Sequence, residues 1–182
     1  MMLNEDERKY LLNIARKTLI FHFQGKPFEP SPPPHYYKNL YEKRGAFVTL
    51  KKEGRLRGCI GMLEADKPLY QLIPELALSS AFQDPRFKPL TEDELPKVKI
   101  EISVLSPLSP ARTDEVEVGK HGIYIKRGFN CGVLLPQVAT EYNLTREEFL
   151  QHGCLKAGLP KDCYKNPETK LYVFTAEVFE EE

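Results

Sequence analysis

Cys59 carries the most evident chemistry in this chain. It lies in the stretch Gly54-Arg55-Leu56-Arg57-Gly58-Cys59-Ile60-Gly61-Met62-Leu63-Glu64. The thiolate is the nucleophilic form of cysteine, and nearby fixed positive charge favours it. Arg57 sits two residues back, which in an extended strand is the same face. Strands usually avoid glycine, because it loses entropy and packs nothing. Gly58 and Gly61 therefore either leave the sulfur uncrowded and let a ligand reach main chain, or let a helix pack closely over a small buried hydrophobe. On residue types alone the packing reading is favoured.

Two other stretches bear on the same question. In Asp84-Pro85-Arg86-Phe87 the acid and base, two apart, would form a structural pair that fixes a turn, or Arg86 would offer its planar fork to a carboxylate or phosphate. The structural pair is favoured. Gln137, directly after Pro136 among apolar residues, would be a semi-buried amide that needs partners. It would tie two loops together or line a pocket, and sequence leaves both open. In an enzyme built on these groups, Cys59 would be nucleophile or covalent acceptor. Arg57 or Arg86 would stabilise negative charge, and Gln137 would orient the substrate. No histidine is evidently paired with Cys59, which counts against this reading.

Metal binding is not expected. CxxC and HExxH are absent, and the spacing of His152, Cys154 and Cys163 falls outside the usual zinc patterns. P-loop and GxGxxG patterns are absent too. Lys plus Arg and Asp plus Glu both number 26, so the formal net charge is zero. That argues against duplex DNA as main partner, a role that usually shows as a basic excess. Among nucleic acids single-stranded RNA fits better, through Tyr36, Tyr37, Tyr41 and Phe47 interleaved with the basic run from Lys38 to Arg57. Core or linker packing is the favoured role for those aromatics, so a nucleic-acid partner is not expected. The start MMLNEDERKYLL has no apolar run behind a basic head, and no run of 18 apolar residues exists. The four cysteines lack the spacing of a disulfide framework. A cytoplasmic protein with reduced thiols is expected.

The elements that must position these residues read as follows. Asn4 and Glu7 predict a capping box, and Leu11, Ile14, Ala15, Thr18 and Leu19 a helix ended by Gly25. Pro27 to Pro34 predicts a stiff connector. Residues 45–50 and 55–63 predict two strands turning through Lys51–Gly54. Arg55, Arg57, Cys59 and Gly61 would share one face, and Leu56, Gly58, Ile60 and Met62 the other. Asp66 would cap a helix that Pro74 kinks or restarts and that ends before Asp84. Thr91–Glu94 is a second capping box, and residues 98–105 alternate as a half-buried strand. A hairpin follows over residues 122–134, then a helix from Thr145 to about Ala157 stopped by Gly158 and Pro160. Residues 170–179 predict one final strand. The result is an α+β fold with a largely antiparallel sheet flanked by helices.

Several motifs recur together in this order: LRGCIG (56–61), DPRFKPL (84–90), ELPKVKIEISVLSP (94–107), GKHGIYI (119–125), GVLLPQVATEY (132–142) and EEFLQHGCLKAGLP (147–160). They closely resemble the AMMECR-type domain, called AmmeMemoRadiSam system protein A in prokaryotes, across nearly the whole of residues 1–182. The resemblance implies one domain of two intertwined subdomains with a cleft between them. It implies that Arg57, Gly58, Cys59 and Gly61 belong near that cleft, with Asp84, Arg86, Gln137, Cys154 and Lys156 as further candidates for ligand contact. It also implies association with a Memo-like protein and a radical S-adenosylmethionine enzyme, while fixing no reaction or cofactor. A small-molecule ligand or a docking role is as compatible with it as catalysis. Members often place tryptophans before the EEFL helix and after the AGLP turn. This chain has none, and Leu144 and Tyr164 would fill those spaces.

Overall fold

The computed structural model describes residues 2–182. In chain order the principal elements are α1 (Glu5–Phe23), β1 (Ala46–Lys52), β2 (Arg55–Met62), α2 (Leu69–Phe82), β3 (Val98–Leu105), β4 (Ser109–Pro110), β5 (Gly122–Arg127), β6 (Asn130–Leu134), α3 (Pro136–Glu141), α4 (Arg146–Lys156), β7 (Lys170–Phe174) and β8 (Ala176–Glu180). The fold is α+β, with two four-stranded sheets ordered β2-β1-β3-β8 and β4-β7-β5-β6. The chain divides into two compact units. One holds the residues up to Leu105 together with Glu177–Glu182, and the other holds Ser106–Ala176.

In the first unit β1 pairs antiparallel with both β2 and β3. Alternation sends Ala46, Val48 and Leu50 of β1 and Ile100, Ile102 and Val104 of β3 to one face, where all are fully buried. Burial of each large aliphatic side chain stabilises by roughly 1.5–3 kcal/mol. Helices α1 and α2 supply the opposing apolar surface, Leu11, Ala15 and Leu19 from one and Leu69, Leu72, Ile73 and Ala77 from the other. The Asn4–Glu7 capping box forms as expected. Arg16 of α1 clamps the C-terminal segment. It grips Glu181 through Nε and Nη2 (2.9 and 2.6 Å) and donates to the Leu95 and Val98 carbonyls.

Two sequence expectations are corrected here, at Asp66 and in the last strand. Asp66 caps nothing: α2 starts after Pro68, and its first N–H is satisfied by the Glu42 carbonyl. Pro74 lies within α2 without ending it, five residues from its start, where it removes a single backbone bond. The last strand is two strands in two different sheets, β7 and β8, broken at Thr175. Strict alternation along β2 also fails at one point. Leu50 is opposite Gly58 but Lys51 is opposite Leu56, so Arg57 is the extra residue of a β-bulge.

The second unit is a small core under one sheet. β5 pairs antiparallel with β6 and β7, and β4 pairs with β7. Ile123, Ile125 and Val173 meet Phe149, Leu150 and Cys154. Gly153 lets α4 lie close, because a Cβ there would come within 2.8 Å of both Ile123 and Ile125 Cδ1. Cys154 and Cys163, both buried, form a disulfide across a separation of nine residues. This corrects the expectation of four reduced thiols: sequence spacing shows no framework, yet the fold brings α4 and the following turn together in the core. A unit this short buries a limited apolar surface, and a cross-link offsets that. Cys163→Ser is expected to cost about 2–3 kcal/mol, the closure entropy of so short a loop. Urea unfolding checks this, and an unchanged midpoint would contradict it.

Candidate functional site

The Cys59 corner is built by β2, the end of α2 and the Asp84–Phe87 turn. β2 is the edge strand of its sheet, so its outward N–H groups need partners from elsewhere. The Cys59 N–H donates to Asp84 Oδ2 (2.9 Å). Ser80, buried in α2, accepts from the Ile60 N–H (3.0 Å) and donates to the Val48 carbonyl (2.7 Å), tying the helix to both strands. Gly58 makes this approach possible. A Cβ there would lie 2.1 Å from the Ser80 carbonyl oxygen. Gly61 serves a second contact, since a Cβ there would lie 2.3 Å from the Phe47 ring and 2.4 Å from the Ala46 carbonyl oxygen. Both glycines therefore have packing causes.

Asp84 is the hub of the turn. Its side chain is 2 % exposed. It takes hydrogen bonds from Arg86 Nε (3.0 Å), Arg86 Nη2 (2.8 Å), the Arg86 N–H (3.1 Å) and the Cys59 N–H. The guanidinium, chiefly, and the two N–H groups outweigh burial and lower the carboxyl to about 2. Arg86 keeps 56 % of its side chain exposed, reaches the Cys59 carbonyl with Nη2 and lies over the Phe87 ring. Arg57 is committed differently. Its side chain is 14 % exposed and grips Glu94 through Nε and Nη2, both at 2.9 Å, while Lys52 adds a third bond to that carboxylate. Glu94 is consequently held well below the ordinary carboxylate range, first by the Arg57 pair.

The half-buried Cys59 sulfur accepts from Thr49 Oγ1 (3.2 Å). Burial, foremost, pushes its thiol up, and the Asp84 and Glu101 carboxylates add to that. The Thr49 hydrogen bond and the Arg86 charge act the other way without prevailing. Cys59, Thr49 and Glu101 stand directly across from one another on β2, β1 and β3, and Lys51 pairs with Glu101 at 2.6 Å. Thr49, Glu101, Ser80 and Glu94 were not singled out in sequence. Strand register would have exposed the first two, but the bulge at Arg57 hides it.

The first unit thus gathers Arg57, Gly58, Cys59, Gly61, Asp84 and Arg86. The other candidates belong to the second unit. Gln137 is half-buried in α3, where its carbonyl accepts from Thr140 Oγ1. Lys156 is exposed at the end of α4. Cys154 is fully buried and its sulfur is committed to Cys163. Among the described residues no group of three or more metal-ligating side chains occurs, and no helix is long and apolar enough to cross a membrane.

A two-sheet α+β protein with an arginine-carboxylate-braced cysteine on an edge strand is the class these features define. The AMMECR1 family model matches residues 12–179, and the chain belongs to that family. A protein of Methanopyrus kandleri is 45 % identical over 188 residues, covering 97 % of this chain and 89 % of the relative. A protein of Nanoarchaeum equitans is 44 % identical over 182 residues, covering 94 % and 99 %. The crystal structure of an uncharacterized protein from Pyrococcus horikoshii superposes with a TM-score of 0.91 at 37 % identity, covering 99 % of this chain and 94 % of that one.

Proposed function

We propose that this chain is a non-catalytic binding module whose Cys59–Arg86 corner contacts a partner protein or small molecule. One observation carries the reading: the charged groups that would activate Cys59 are already spent on structural pairs. Arg57 is held by Glu94, Arg86 by Asp84 and Lys51 by Glu101. With burial pushing the thiol up, the sulfur stays protonated near neutrality. The Nη1 amino group of the half-exposed Arg86, held in place by the Nε and Nη2 bonds to Asp84, is a rigid donor for an incoming carboxylate or phosphate. As partners, the family resemblance suggests a Memo-like protein and a radical S-adenosylmethionine protein.

Calorimetric titration of those two proteins, taken from the same source, tests this. Arg86→Glu is expected to lower the affinity of one of them at least about tenfold, the scale of losing one charge-assisted contact, while Cys59→Ser leaves it within about twofold. Unchanged affinity in Arg86→Glu rejects the corner as the docking surface. Arg57→Glu is the poorer variant, because Arg57 braces the fold through Glu94.

The second reading, an enzyme or enzyme subunit with Cys59 as nucleophile, has the Thr49 hydrogen bond to Sγ in its favour. It requires a thiol titrating near neutrality.

A further inference from the structure

The sheet of the second unit has one face packed on its core and another that the Cys59 reading does not use. Ile123, Ile125 and Val173 point to α4. The alternate residues face the other way: Tyr124 and Lys126 on β5, Tyr172 and Lys170 on β7, and Val133 and Cys131 on β6. Register places Tyr124 directly opposite Tyr172 and Val133, and Lys126 directly opposite Lys170 and Cys131. The two half-buried tyrosine rings lie 5.9 Å apart at 35°, on the two central strands. Lys126 and Lys170 are exposed, and among the described residues neither has an ion-pair partner. No Asp or Glu occurs anywhere in β4, β5, β6 or β7. Like charges directly opposite on paired strands are destabilising. An unneutralised lysine pair beside an aromatic pair thus opposes stability, and a bound anion would relieve it. Phe129, fully exposed at the tip of the β5–β6 hairpin, extends the aromatic surface beyond the lysines.

We propose that this face binds a nucleotide unit, with the base against Tyr124 and Tyr172 and the phosphate between Lys126 and Lys170. The two pairs are two residues apart along the strands, about 7 Å, a separation that a ribose bridges. Bases stack on aromatics without regard to sequence, and paired lysines neutralise a phosphate. A free nucleotide and a single-stranded nucleic acid share this chemistry. The zero net charge of the chain conceals the patch, because the acids lie on other elements. The proposal is independent of the Cys59 corner.

The test titrates the full-length protein into fluorescein-labelled oligouridylate at low salt, followed by anisotropy, and AMP into the protein by calorimetry. Binding of the oligonucleotide alone supports a single-strand site, and binding of AMP supports a free-nucleotide site. Binding of neither overturns the proposal. Lys126→Glu is the decisive variant, because it replaces a like-charge pair by an ion pair with Lys170. Its melting temperature is expected to be equal or higher while affinity falls at least about tenfold and the log–log salt slope of oligouridylate binding falls by about one or more. Tyr172→Leu is expected to weaken binding roughly tenfold. Lys38→Glu/Lys43→Glu, in the first unit, is expected to leave binding unchanged. Cys131 gives an independent footprint: bound ligand should slow its alkylation, read by mass spectrometry, and leave that of Cys59 unaltered. Binding that survives Lys126→Glu, or that leaves Cys131 labelling unchanged, overturns the proposal.

Discussion

Gly58→Ala is expected to destabilise the protein by about 3 kcal/mol, the upper end of what overpacking ordinarily costs. The added methyl would lie 2.1 Å from the Ser80 carbonyl oxygen and 3.1 Å from its carbon. Both are main-chain atoms, so no rotamer change relieves the overlap. The end of α2 must lift from β2, and the Ser80 hydroxyl then loses both the Ile60 N–H and the Val48 carbonyl. Gly54→Ala is the informative contrast. Gly54 has φ +74° with nothing within 4 Å, so the cost there is backbone strain alone, about 1 kcal/mol. Urea unfolding of both variants measures the difference. Equal, small losses would mean that the helix does not press on Cys59's strand.

The second large effect concerns Asp84. Asp84→Ala is expected to cost about 3 kcal/mol at neutral pH, because it strands the part-buried N–H groups of Cys59 and Arg86 without acceptors. The same residue makes the native protein acid-sensitive in a definite window. Its folded pKa of about 2 lies below the unfolded value near 4. Its contribution, about 2 kcal/mol, is therefore complete above the unfolded value and lost as pH falls from about 4 through about 2. Between pH 5 and pH 2 the native protein should lose stability more steeply than Asp84→Ala does. Parallel profiles would place the acid sensitivity elsewhere.

Local features were read correctly where local physics decides them. The Asn4 capping box, the presence of a strand at residues 98–105 and the helix ending at Gly158 all depend on neighbours in sequence, whereas the burial of Glu101 and Ser103 on the expected outer face of that strand does not. Features set by distant contacts were misread. The Cys154–Cys163 pair follows from how α4 packs, and Thr175 divides a run of alternating residues between two sheets. At the candidate site, residue types made the strand around Cys59 and the Asp84–Arg86 turn legible. They did not reveal that Glu94, far along the chain, takes up Arg57, or that Thr49 and Glu101 stand in line with Cys59. Gly58 and Gly61 matched both explanations until Ser80 and Phe47 were seen beside them.

The central claim is that Cys59 is a braced, protonated thiol at a binding corner. The rate of its alkylation against pH, followed by mass spectrometry of the Cys59 peptide, tests this most directly. The account predicts a single titration above the free-cysteine value of about 8.5. It also predicts that Arg86→Ala moves the titration higher, by removing a charge that favours the thiolate. A thiol titrating below about 7, in the range of activated cysteines, would contradict the account and restore Cys59 as a nucleophile.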